Sequence, residues 1–240
     1  NKKEKDIKTV NIIKGLIMDT VRHANSGHTG GPMSSSDFAY ILFKEFLNFD
    51  PNNPNWFNRD RFILSAGHES ALQYVLLTMI GWLELDDLKK FRQLHSKTPG
   101  HPEIEIDGVE CTTGPLGQGF GMSTGMALAE SFLHNTLKDI DKEASGLVDH
   151  FTYVLASDGD MQEPITLGSA SLSGHLGLSK LIVFYDSNEV QISGGVSRSD
   201  STDYGAVFTG FGWYVQKING HDHGSIRIAI TKAQKSNQPS

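Results

Sequence analysis

FTYVLASDGDMQEP at 151–164 and KLIVFYDSNEV at 180–190 decide the fold of this chain. Each begins as a short apolar run rich in β-branched and aromatic residues and ends abruptly in turn residues, the pattern of a buried strand. Between them PITLGSASLSGHL at 164–176 predicts a helix with Pro in its first turn. Strand, helix and strand within about forty residues form a βαβ unit, and such a unit implies a parallel sheet covered on both faces. In an open parallel sheet, ligands bind in the crevice at the carboxyl ends of the strands. Asp158 follows directly on the first predicted strand and Asn188 follows the second. A carboxylate beside an amide oxygen makes a hard site suited to Mg²⁺ or Ca²⁺. Gly159 lets a backbone amide approach an anion, and the helix from Pro164 would turn its positive end the same way. Taken as dipeptides alone, DG and SN are also ordinary strand-end turns.

Outward from this unit the pattern continues. WYVQKI at 213–218 predicts a third strand of this half, with a helical stretch at 225–234. Upstream, RFILSAGH at 61–68 reads as a strand running into a turn, followed by a helix at 70–80. The apolar spacing over 5–24 predicts an amphipathic helix. SSSD at 34–37 offers N-caps for a second helix, and LDDLKKFRQL at 85–94 reads as a short third. The stretch from His95 to Pro115 is a long polar loop, and loops of that length in a compact domain are usually functional. The expectation is an α/β fold: a doubly wound, mostly parallel sheet with helices on both faces, in one domain over 1–240. The last residues, NQPS, carry no closing strand, which points to a fragment or to one subunit with a partner.

Composition narrows the class. The chain's 240 residues carry 21 Lys and Arg against 28 Asp and Glu, a net charge of −7. With no basic block, nucleic acid and an anionic membrane surface are not expected partners. No apolar run is long enough to span a bilayer. A single Cys111 excludes an intrachain disulfide and suits a reducing, cytoplasmic compartment. Ten His are available for proton transfer near neutral pH. GQGFG at 117–121 follows a Pro-containing loop where a dinucleotide fingerprint would follow a strand. His28 and His68 lack the close pairing or the cysteines of a zinc site.

The acidic turn, the interval of thirty residues and the following Asn resemble the metal motif of thiamine diphosphate enzymes. SGHTGGPM at 26–33, SAGHESALQY at 65–74, FRQLHSKTPGHPE at 91–103, TTGPLGQGFGMSTGMALAE at 112–130 and NGHD at 219–222 resemble transketolase signatures in the family's order. The resemblance covers essentially the whole chain and corresponds to the family's N-terminal, diphosphate-binding domain. It implies that Asp158, Asn188 and the main-chain carbonyl of Val190 bind Mg²⁺, for which Ca²⁺ or Mn²⁺ could substitute, and that Gly159 offers its amide to a phosphate. It makes His68 a neighbour of the cofactor diphosphate, and Gly114, Pro115 and Leu116 the lining of the cofactor rings. His28 would face the thiazolium carbon, His101 the substrate hydroxyls, and Glu163 a subunit-interface network. His23, His134, His150, His175 and His223 read as structural or surface residues.

The activity so implied is transfer of a two-carbon ketol unit from a ketose phosphate to an aldose phosphate, in the pentose phosphate pathway. The family's catalytic glutamate and phosphate-binding arginines lie in a pyrimidine-binding domain that would be a partner here, in a homodimer or a split hetero-oligomer. Ser157 and Pro164 depart from the usual metal loop, where a Gly and a small residue are the rule. Those departures favour one alternative, a non-catalytic cofactor-binding or assembly subunit; a further alternative is a related thiamine diphosphate enzyme with a different ketose donor.

Overall fold

The computed structural model describes residues 1–188, 190–191 and 194–240, with only the backbone of 190 and 191. Three parallel strands form the sheet in the order β1 (Arg61–Leu64), β2 (Thr152–Ser157) and β3 (Leu181–Asp186). Leu64 pairs with Leu155, and Ser157 with Asp186. Side chains alternate along each strand, so the sheet feeds two cores. Phe62, Leu64, Tyr153, Leu155, Ile182 and Phe184 pack on one face against α1 (Lys2–Ala24), α3 (Ser36–Ile41), α4 (Ser70–Ile80) and α10 (His223–Gln234). Ile63, Val154, Ala156, Leu181, Val183 and Tyr185 pack on the other against α6 (Gln118–Ile140), α8 (Pro164–His175) and α9 (Tyr204–Gly210). Helices on both faces of a parallel sheet are the expected doubly wound arrangement. Short elements complete it: α2 (Gly30–Ser34), α5 (Leu85–Leu88), the one-turn α7 (Asp158–Met161), and the antiparallel pair β4 (Val190–Gln191) and β5 (Gly194–Gly195). Among the described residues no helix is long and apolar enough to cross a membrane.

Three local expectations are corrected. Helix formation begins at Gly30, ahead of SSSD, because Pro32 falls in the first turn, where a missing N–H costs nothing. The serines then bond within the helical run, as when Ser36 Oγ donates to the Pro32 carbonyl at 2.7 Å. The run closes in a π-turn over Leu42–Phe46. The segment 213–218 is extended but is not a strand of the sheet. Tyr214 N donates to the Pro239 carbonyl at 2.8 Å, and Pro239, lacking an N–H, has no donor to return. Ser240 takes the place beside β3: it donates to Leu181 O at 3.1 Å and accepts from Val183 N at 2.8 Å. The helix expected over 85–94 covers only Leu85–Leu88, and Arg92 takes a left-handed φ of 60° that no helix accommodates.

Candidate functional site

The carboxyl ends of the three strands deliver Ser65 and His68 after β1, Asp158 after β2, and Asp186 and Asn188 at the end of β3. What fixes the crevice is Asp160, a fully buried carboxylate. It accepts from Ser65 Oγ at 2.7 Å, from Gly117 N at 2.7 Å, and from the amide and hydroxyl of Ser157, both at 2.9 Å. One side chain therefore ties the ends of β1 and β2 to the start of α6. Gly117 has φ 81°, and a Cβ there would lie 2.7 Å from Ile165 Cγ2, so only Gly allows α6 to begin against α8.

Asp158 is buried, and the Tyr185 hydroxyl donates to its Oδ1. Asn188 donates from Nδ2 to Asp186 Oδ2 at 3.0 Å, and Asp186 Oδ1 accepts from Ser34 Oγ at 3.0 Å. Leu116 closes over the loop: a Cβ on Gly159 would lie 2.8 Å from Leu116 Cδ1. Val190 starts β4, which touches α7, so its backbone stands next to the Asp158 turn. Its side chain lies outside the described residues. Pro115, Leu116, Met122, Glu163 and Ile165 line an open, mainly apolar groove of about 780 Å³.

Three histidines gather over the crevice. The rings of His28 and His68 are 5.0 Å apart, edge to face. Gly114 lies against the His101 ring. The His101 loop is held by the Tyr74 hydroxyl, which donates to the Pro99 carbonyl at 2.8 Å, and by Ser70 Oγ, which donates to Gly100 O at 2.7 Å. Burial first holds all three imidazoles below their usual pKa. The charge of Arg92 adds to this for His28 and His101, and that of His28 for His68. They are therefore neutral at pH 7, able to donate from one nitrogen and accept at the other.

Glu69, next to His68, is completely buried, and neither carboxyl oxygen has a hydrogen-bond partner. Burial, followed by the charge of Asp186, pushes its pKa up to about 8. The Ser35 hydroxyl is near enough to offset a little of the rise but is not in bonding geometry. Sequence reasoning missed Glu69, Asp160, Tyr185 and His221. Asp160 left a local signal, as the acid three residues after Ser157 in a capping box, while Glu69 and His221 lay inside quoted motifs without a role of their own. His221 bonds to Asp37 through Nδ1 at 3.0 Å, beside His223 and Lys14 on the same carboxylate. Of the other histidines, His134 bonds the Val148 carbonyl at 2.8 Å, and His150 lies 3.4 Å from Asn58 Oδ1.

A second acidic group lies at the opposite, amino ends of the strands, where Glu130, His134 and Asp149 converge within 4.8 Å. The Lys180 ammonium bonds both carboxylates there, at 3.0 Å for Glu130, so this cluster already has its cation.

Oxygen donors at the ends of adjacent parallel strands, a loop closed over Gly159 and three neutral imidazoles define an α/β domain with a polar crevice at the carboxyl ends of its strands. Residues 5–240 match the family described as transketolase, thiamine diphosphate binding domain, and the chain belongs to that family. The Staphylococcus epidermidis transketolase is 52% identical over 238 residues, 98% of this chain but 36% of the relative. The Leishmania mexicana transketolase structure superposes with a TM-score of 0.93 at 41% identity, covering 97% of this chain and 35% of that one. The Pichia stipitis transketolase in complex with sedoheptulose-7-phosphate gives 0.91 at 39% identity, covering 98% and 35%. The chain thus spans about a third of the length of the relatives it matches.

Proposed function

We propose that this chain is the diphosphate- and metal-binding part of a transketolase, which transfers a two-carbon ketol unit between sugar phosphates. The observation that carries the reading is the pair Asp158 and Asn188 at the ends of adjacent strands, beside Gly159, over which Leu116 closes. The donor set fits a hard dication. Asp158, Asn188 and the Val190 carbonyl would hold Mg²⁺, or Ca²⁺ or Mn²⁺ in its place, leaving positions for diphosphate oxygens. Gly159 would offer its amide to a phosphate, and His68 would stand beside the diphosphate. Gly114, Pro115 and Leu116 would line the cofactor rings. Thiamine diphosphate, when bound, supplies the electron sink needed to break a bond next to a ketose carbonyl. His28 and His101, neutral and donor-capable, would move protons at substrate oxygens. Each would donate to an alkoxide in one state and accept from a hydroxyl in the other.

The partner surface follows from exposure. α6 presents Met122, Leu128 and Phe132, and α8 presents Ile165 and Leu172, while Phe120, Ala127 and Ala170 point into the core. These exposed apolar residues flank the groove by Glu163, where a pyrimidine-binding domain of the same enzyme would dock in a homodimer or a split assembly.

Calorimetric titration of the complete protein with thiamine diphosphate and Mg²⁺ tests the reading. Asp158→Asn removes the only side-chain charge aimed at the dication and should abolish Mg²⁺-dependent cofactor binding while leaving the fold intact. Unaltered affinity in the variant would sink the metal assignment.

A further inference from the structure

The last two residues of β3 point to opposite faces of the sheet, yet each bonds one of the two side chains assigned to the metal. Tyr185, on the α9 face, donates its hydroxyl to Asp158 Oδ1, and Asp186, on the α3 face, accepts from Asn188 Nδ2. The Tyr185 ring packs on the α9-face core. Its ring meets Tyr204 edge to face, with centroids 6.1 Å apart, and the Tyr204 hydroxyl donates to Asp200 Oδ2 at 2.5 Å. β2 and β3 register Ala156 opposite Tyr185, which puts the phenol one step from the Asp158 turn.

We infer that Tyr185 is a positioning residue for the divalent ion, fixing the orientation in which the Asp158 carboxylate meets it. The inference rests on the assignment of Asp158 and Asn188 as ligands. A carboxylate with no such donor can rotate between one-oxygen and two-oxygen binding. A donor on Oδ1 opposes the two-oxygen mode, because that mode would need the oxygen the phenol holds. Mg²⁺ requires near-ideal octahedral geometry at short distances, whereas Ca²⁺ accepts either mode and longer bonds. The Tyr185 hydroxyl therefore favours the smaller ion. Residues that orient metal ligands in this way typically change metal affinity about 10- to 100-fold when removed.

The test is Tyr185→Phe in the complete protein, which keeps the ring in its packing and removes only the donor. Mn²⁺ binding in the presence of thiamine diphosphate is followed by electron paramagnetic resonance, and Mg²⁺ and Ca²⁺ are titrated as competitors. Wild type, Asp158→Asn and Tyr204→Phe are measured alongside. Tyr185→Phe should lose about 10-fold or more in Mg²⁺ affinity and less for Ca²⁺, so that the preference shifts toward Ca²⁺. Tyr204→Phe, a neighbouring phenol with no bond to Asp158, should leave the ratio unchanged, which a general loosening of the packing would not. If Asp158→Asn abolishes binding but Tyr185→Phe retains wild-type Mg²⁺ affinity and ion preference, the inference is wrong and the metal assignment stands. If Asp158→Asn also binds normally, the metal assignment fails and takes the inference with it.

Discussion

Glu69→Gln should change how stability depends on pH more than it changes stability itself. The wild-type carboxyl is completely buried without a hydrogen bond and titrates at about 8 in the folded chain, against 4.5 when unfolded. The folded state therefore holds this proton more tightly than the unfolded state does. Its contribution is fully present below pH 4.5 and is lost as pH rises through 8. The gap is 8 − 4.5 = 3.5 units. At about 1.4 kcal/mol per unit that corresponds to about 5 kcal/mol, of which about 3 kcal/mol is lost between pH 5 and pH 8. Glutamine keeps the shape and cannot ionise, so its own cost is a constant offset. Asp60, pushed up to about 6 by burial, and His150, held down to about 4 by burial, titrate in both proteins and cancel in the difference. Urea melts at pH 5, 6, 7 and 8, followed by fluorescence of Trp82 and Trp213, should show the variant gaining on wild type as pH rises. The sum over this interval should be about 3 kcal/mol. Parallel curves would refute the reasoning, because they would mean that Glu69 is ionised or hydrated in the folded protein.

Three further outcomes are expected. His101→Ala in the complete enzyme should leave cofactor affinity nearly unchanged and lower turnover by about 10²-fold or more. His68→Ala should weaken cofactor binding with near-normal turnover at saturation, so steady-state kinetics at limiting and saturating cofactor separates the two roles. Gly117→Ala forces a side chain into a left-handed residue 2.7 Å from Ile165 and should destabilise by more than about 1 kcal/mol, read as a lower melting temperature.

The sheet was legible because its strands are short apolar runs with abrupt polar ends, and buried parallel strands need nothing subtler. Helix α6 was less so: Gly119, Gly121 and Gly125 give its first half the look of a loop. Those glycines answer to packing, as Gly119 shows, where a Cβ would lie 2.5 Å from the Ser65 Cα. A close approach between two segments 54 positions apart has no local signature. The same is true of Asp160, whose hydrogen-bond partners come from three segments, and of Glu69, whose neighbours Gly31 and Asp186 come from opposite ends of the chain. The histidines were found through motif resemblance; composition only raised their number to notice. Their common neutrality comes first from burial, with the Arg92 charge added for His28 and His101, and neither can be read from sequence spacing of 40 and 33 residues.

The two departures from the usual metal loop lose their weight as arguments against catalysis once the loop is seen folded. Ser157 is not an idle replacement for glycine. Its backbone is extended at φ −112°, a conformation open to any residue, and its hydroxyl donates to the same Asp160 oxygen as its amide. That second bond reinforces the junction of β2 with α7, in the way that a capping side chain typically contributes about 1 kcal/mol. Pro164 occupies the first position of α8, where its missing N–H would have had no partner within the helix. Its fixed φ favours starting the helix there, directly after Glu163 on the rim of the groove. Neither change removes a donor or acceptor from Asp158, Asn188 or Gly159. Asp158 with its phenol partner, and the three histidines over the same crevice, are the groups the proposed function uses, and neither departure touches them.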